Sequence, residues 1–304
     1  MKRILLATDG SENSQQAASF LAHLPHDDKI EVTVVSVLYL PGAGQEYLAG
    51  DLSDAVLEQA QENAQAAYSK VERLFTGANV SLSHVIRQGH PAEAIVEVAK
   101  ELESELLVVG AKGHTVVQRV LLGSTSDYVA THAPCSVLVV RPTELTDAKH
   151  RLRVAIGYEE TGPAQAAVEE FADFKWGTGT QVRLVSVFYQ PDFFDAPIEK
   201  PTPEFVEEAA AQLHDVAPDT KGCLIESNHI GEGLVRFAEE NDVNLLMVGE
   251  TPRTRLSRML MGSKTRYVLR HAPCSVWITR NRMIHGNKYK ASRHTESNQS
   301  ASTS

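Results

Sequence analysis

Residues 121–141, LLGSTSDYVATHAPCSVLVVR, return as residues 260–280, LMGSKTRYVLRHAPCSVWITR, with 12 of 21 positions identical at an offset of 139. Upstream, EVTVVSVLYLP at 31–41 returns as QVRLVSVFYQP at 181–191, at an offset of 150. The starts RILLATDGS and LRVAIGYEE match in character. A period this long is too large for a solenoid repeat and fits a duplicated domain. The chain of 304 residues therefore divides into residues 1–142, residues 151–280 and a polar tail, 281–304, whose Ser, Asn and Lys content predicts disorder.

Each unit alternates short apolar runs with helix-spaced segments. Ile4–Thr8, Val32–Leu38, Val80–Arg87, Leu106–Val109 and Ser136–Val140 read as strands. Ser11–Leu24, Asp51–Phe75, Pro91–Glu103 and Ser124–His132 read as helices. Such alternation predicts an α/β fold, a parallel five-stranded sheet in each half with helices on both faces. The apolar last strands, Val137–Val140 and Val276–Thr279, would be exposed edges, so they are expected to pair and make the chain an intrachain pseudo-dimer. Further dimerisation of the whole chain is left open.

The composition narrows the function. A net charge of −10 gives no footprint for nucleic acid or an anionic membrane. Three scattered cysteines argue against a disulfide framework or a zinc site and fit a reducing cytoplasm. The apolar run Ile4–Ala7 is too short for a signal peptide, and no stretch approaches the ~20 residues of a membrane helix.

Ligands of open parallel sheets bind beyond the carboxyl ends of the strands, where strand order reverses. The first strand leads into Asp9-Gly10-Ser11, and the fourth into Gly110-x2-Gly113-x9-Gly123-Ser124. Gly110 and Gly113 are expected to turn with positive φ and to let a ligand approach the backbone. Gly123-Ser124 opens a helix whose free N–H groups, with the hydroxyls of Ser124 and Thr125, offer an anion site. Lys112 and Arg119 give that loop a local charge of +2.

These motifs, with Asp9 at the end of the first strand and the HAPCSVLVV strand, resemble the universal stress protein family in both halves. The resemblance implies two tandem, Rossmann-like domains of the adenine nucleotide α-hydrolase-like kind. It implies ATP, with Mg2+ or Mn2+ accompanying it, in the first half. Asp9 would meet the adenosine, and Val37 would pack beside the adenine. Ala7 and Val109 would line the base pocket. Gly110 and Gly113 would admit ribose and phosphates, and Gly123, Ser124 and Thr125 would hold the phosphates. It also leaves open slow ATP hydrolysis or autophosphorylation, with Ser124 and Thr125 as phosphoacceptors, in a stress response with protein partners. The alternative is a pseudo-dimeric scaffold that binds no nucleotide.

The second half departs from the pattern. Aligned on the strand starts, Asp9 becomes Tyr158; Gly113 becomes Pro252, which fixes φ and lacks an N–H. A structural second half is therefore expected, with an anion or a shorter nucleotide held by Arg253, Arg255 and Arg258 as the alternative. His132-Ala-Pro-Cys135 and its repeat read as a helix end, a proline turn and a buried cysteine rather than a nucleophile. No catalytic residue and no metal ligand set stands out; the dinucleotide fingerprint and the P-loop are both missing.

Overall fold

The computed structural model describes residues 2–26, 28–39, 50–111, 122–142, 151–174, 176, 178–189, 201–250 and 261–280. The front half runs β1 (Lys2–Ala7), α1 (Glu12–Ala22), β2 (Ile30–Leu38), α2 (Gly50–Leu74), β3 (Val80–Gln88), α3 (Pro91–Glu101), β4 (Leu106–Gly110), α4 (Ser124–His132) and β5 (Ser136–Val140). The rear half repeats the order as β6 (Leu152–Gly157), α5 (Gly162–Ala172), β7 (Thr180–Phe188), α6 (Glu204–Ala211), β8 (Asp219–Glu226), α7 (Ile230–Glu240), β9 (Leu245–Gly249), α8 (Ser263–His271) and β10 (Ser275–Thr279). The halves differ most in α2, of 25 residues, and α6, of 8.

Local chemistry sets the boundaries. Pro91 opens α3, where its missing N–H costs nothing. Ala133 and Ala272 each precede a proline, which disfavours the helical region, so they leave α4 and α8 with ψ near 139° and 136°. Ser11 caps α1 by accepting the Ser14 N–H at 3.3 Å.

The strands form one ten-stranded sheet in the order β3-β2-β1-β4-β5-β10-β9-β6-β7-β8. Every pairing is parallel except β5 with β10, where Leu138 faces Trp277 across the centre of the sheet. The two apolar last strands thus cover each other, as their sequence predicts. One core layer packs α1, α2, α5 and α6 on one face of the sheet, and a second packs α3, α4, α7 and α8 on the other. Both layers contain residues of both halves, so the seam is buried on both sides.

The seam is also tied by swapped arginines. Arg141 donates to Leu269 O at 2.8 Å and to Arg270 O at 3.3 Å, and its N–H reaches Ser275 Oγ. Arg280 donates to Ala130 O and Cys135 O, and its N–H reaches Ser136 Oγ at 2.8 Å. The guanidinium bonds to Ala130 O and to Leu269 O satisfy carbonyls near the ends of α4 and α8 whose intrahelical donor would be a proline, Pro134 or Pro273. Among the described residues no helix is long and apolar enough to cross a membrane. The tail 281–304 lies outside the described residues.

Candidate functional site

Strand order reverses between β1 and β4 in the front half and between β6 and β9 in the rear. Register relates the halves. Ile4 pairs with Leu106, and Val154 pairs with Leu245. Beyond the strands, Thr8 N–H donates to Val35 O at 2.9 Å, and Tyr158 N–H donates to Val185 O at 2.9 Å. Thr8 therefore corresponds to Tyr158, and Asp9 to Glu159. This corrects the alignment that placed Tyr158 at the Asp9 position: the apolar starts of the strands had slid by one residue. The rear half keeps a carboxylate there. The Tyr158 ring packs toward Phe205, 6.3 Å away.

Ala7, Val109 and the partly buried Val37 feed the core layer beneath α3 and α4. Asp9 follows them on an exposed turn, where Oδ1 accepts the Ser11 N–H at 3.0 Å. Partial burial works against its charge, but hydrogen bonds from the Ser11 side chain and backbone outweigh this and hold the carboxyl below its ordinary range. Asp9 is not the cap of α1; Ser11 is. The positive φ in this turn belongs to Gly10, at +77°.

Gly110 serves a different purpose from the expected one. Its φ is not positive, and a Cβ there would lie 2.5 Å from Asn13 O. The missing side chain lets α1 pack against the end of β4. Gly249 does the same against Pro163 in the rear half, where a Cβ would collide with the Pro163 carbonyl. Gly113, Lys112 and Arg119 lie outside the described residues, as do Pro252, Arg253, Arg255 and Arg258.

Gly123 is the N-cap of α4, with φ −65° and ψ 151° and no side-chain cap. The first intrahelical bond runs from Asp127 N–H to Gly123 O. The N–H groups of Ser124, Thr125 and Ser126 precede that bond, so they have no partner within the helix. Ser124 and Thr125 therefore lie in the first helical turn, and Ser126 Oγ folds back onto Gly123 O at 2.9 Å. The arrangement leaves amide donors and the positive end of a helix dipole open at the start of α4.

The rear half shows what such a set of positions encloses. A cavity of about 270 Å3 is lined by Gly157, Glu159, Val187, Val248, Gly249, Gly262, Ser263 and Lys264, among others. These are the counterparts of Ala7, Asp9, Val37, Val109, Gly110, Gly123, Ser124 and Thr125. The rear counterparts of eight of the nine expected positions thus line one cavity, and the ninth, Gly113, falls outside the described residues. The rear crevice is open rather than filled.

The cysteines and histidines behave as packing residues. Burial pushes the Cys135 and Cys274 thiols up to about 12, which keeps them protonated. His132 and His271 each bond their own helix, at Tyr128 O and Tyr267 O, and stack on those tyrosines. Among the described residues no group of three or more His, Cys, Asp or Glu could hold a metal ion.

The family model of universal stress proteins matches residues 1–141 and 150–280. The chain belongs to the universal stress protein family, and carries that domain twice. A universal stress protein of Methanocaldococcus jannaschii is 32% identical over 146 residues, 46% of this chain and 82% of its own length. A solved universal stress protein of Archaeoglobus fulgidus aligns over 92% of this chain and 98% of its own, at a TM-score of 0.68 and 19% identity, a likeness of fold. UspA from Lactobacillus plantarum is 29% identical over 46% of this chain and 97% of its own, with a TM-score of 0.36.

Proposed function

We propose that the front half binds an adenine nucleotide, ATP in the first instance, and that the protein acts in a stress response through nucleotide-dependent contacts with protein partners in the cytoplasm. The observation that supports this reading is that Glu159, Val187, Val248 and Ser263, the rear counterparts of Asp9, Val37, Val109 and Ser124, line one cavity where strand order reverses. The apolar pair suits a flat base. The carboxylate suits the donors of an adenosine, and the amides of Ser124, Thr125 and Ser126 suit phosphate oxygens. A magnesium or manganese ion would arrive on the triphosphate, since the described residues supply no carboxylate cluster for it. Bound nucleotide can bias partner choice only by the difference in its affinity for the two states involved. The described residues of the site offer no paired carboxylates or activated nucleophile, so turnover would be slow hydrolysis or transfer to Ser124 or Thr125.

Calorimetry and thermal shift with ATP test this. ATP should raise the melting temperature, and Asp9→Ala should weaken binding roughly 10- to 100-fold, the scale of a hydrogen bond to a charged group. No shift at millimolar ATP would leave the scaffold reading, in which the halves serve only to present a surface to partners.

A further inference from the structure

The ten-stranded sheet ends in β3 on one side and β8 on the other, and the two edges are finished differently. On an edge strand alternate residues turn their N–H and C=O groups away from the sheet, where another strand can pair with them. Asn79 O and Gly89 N–H both bond β2, at Ile30 and Leu38, so the odd positions of β3 face inward and Leu82, His84 and Ile86 face outward. Ser227 N–H bonds Phe188 O, so on β8 the outward residues are Thr220, Gly222, Leu224 and Glu226. Register makes Thr220, Gly222 and Leu224 the counterparts of Leu82, His84 and Ile86.

The rear edge is guarded by its own side chains. His214 Nε2 donates to Thr220 O at 3.2 Å, Arg236 Nη2 donates to Glu226 O at 2.7 Å, and the Gly222 N–H donates to Glu207 Oε2 at 3.0 Å. Glu207 comes this close because Gly222 has no side chain: a Cβ there would lie 2.7 Å from Glu207 N. Lys221 is exposed on the same strand, a charge of the kind that keeps other strands off an edge. In the front half the glycine is His84, whose ring stacks on Tyr68 of α2, and the lysine is Ser83. Among the described residues, no side chain bonds the outward backbone groups of Leu82, His84 or Ile86. Exposed apolar side chains gather on the same flank, with Val56 and Leu74 on α2 and Tyr39 at the end of β2.

We propose that β3 is a docking edge for a second copy of this chain, the two β3 strands pairing antiparallel about a two-fold axis and joining the two sheets into one. Two observations select a second copy as the occupant. First, the strand complements itself. With His84 on the axis, Leu82 faces Ile86, Val80 faces Gln88 and Ser81 faces Arg87 of the second copy, so apolar meets apolar and the one charged residue of β3 does not meet its own kind. Second, β8 is guarded, so the open edge pairs with its own copy; the contact is isologous and closes as a dimer instead of growing into a fibre. It is separate from the β5–β10 seam at the centre of the sheet and requires no nucleotide in either half.

Sedimentation equilibrium and hydrogen exchange on the full chain test the proposal. As concentration rises through the micromolar range, the mass should climb from 33.3 kDa toward twice that value. Exchange in the peptide 80–88 should slow as the dimer fills, and exchange in 219–226 should not. Ser83→Lys installs the rear half's guard at an exposed position and should weaken the dimer by about tenfold, since both copies carry the charge. Ile86→Pro removes an outward N–H that the single chain does not use, and should weaken it likewise. Lys221→Ser at the rear edge should leave the dimer as it is. A chain that stays monomeric throughout, a dimer that Ser83→Lys leaves intact or Lys221→Ser abolishes, or one that forms without protecting 80–88 would overturn the proposal.

Discussion

The hydroxyl of Ser136, on the last strand of the front half, donates to the carboxylate of Glu170, on the first helix of the rear half, at 2.9 Å. The other carboxylate oxygen accepts the indole N–H of Trp277 at 3.1 Å. Glu170 is 3% exposed, and desolvation carries its pKa from an ordinary 4.5 up to about 7, against the opposing pull of Ser136, Lys2 and Trp277. The front-half counterpart of Glu170 is Phe20, so this buried acid is an asymmetry placed on the seam between two otherwise similar domains.

Glu170 should make stability depend on pH. Its folded pKa lies above its unfolded one, so between about pH 4.5 and 7 the folded state binds the extra proton. Stability should then fall as pH rises through that window, and level off above pH 7, with a total of up to about 3 kcal/mol. Urea titrations of wild type and Glu170→Gln over this range check the sign. The amide variant should lose the slope and be the more stable of the two above pH 7. A wild-type curve that rises from pH 5 to 7 relative to the variant contradicts the assignment.

Arg280 and Glu250 form a pair that is 7% and 9% exposed. Removing one partner of such a pair strands the other charge. Arg280→Met should therefore lower stability by about 3–5 kcal/mol, and the double variant Arg280→Met with Glu250→Leu should recover much of the loss. Chemical denaturation of the four proteins in the cycle measures the coupling.

Gly110→Ala should destabilise by about 1–3 kcal/mol, because the new methyl meets the Asn13 carbonyl and α1 must shift. The same change at Gly249 meets Pro163. Thermal melts without nucleotide check this. A melting temperature unchanged in both variants would return Gly110 to a role at the ligand alone.

Alkylation separates the cysteines. Cys135 and Cys274 are buried with thiols near 12, whereas Cys223 is half-exposed and shifted upward less strongly. Iodoacetamide at pH 8 followed by mass mapping should label Cys223 first in the native protein, and the other two only on unfolding. Rapid native labelling of Cys135 would reopen a chemical role for the His-Ala-Pro-Cys motif.

Every strand and helix of the front half that the sequence predicts is present with shifts of one or two residues at the ends, because hydrophobic period and proline position act locally. The same holds for the mating of β5 with β10, since two apolar edges in one chain have few other ways to leave water. Gly110 reads in the sequence as a turn glycine beside a ligand, but its constraint comes from a helix ninety-seven residues upstream, at Asn13.

What the chain alone determines is the duplication, the order of elements and the family. Each is written in patterns a few to a few dozen residues long. The tertiary structure decided that Glu159, and not Tyr158, stands where Asp9 does, because two apolar strand starts can be slid past one another until the sheet's hydrogen bonds set their register. It also decided that Glu250 meets Arg280, and Ser136 meets Glu170. These partners are 30 and 34 residues apart, separated by strands and helices. No spacing rule joins them; only the burial of the seam, which leaves each charge or donor without water, makes them find one another.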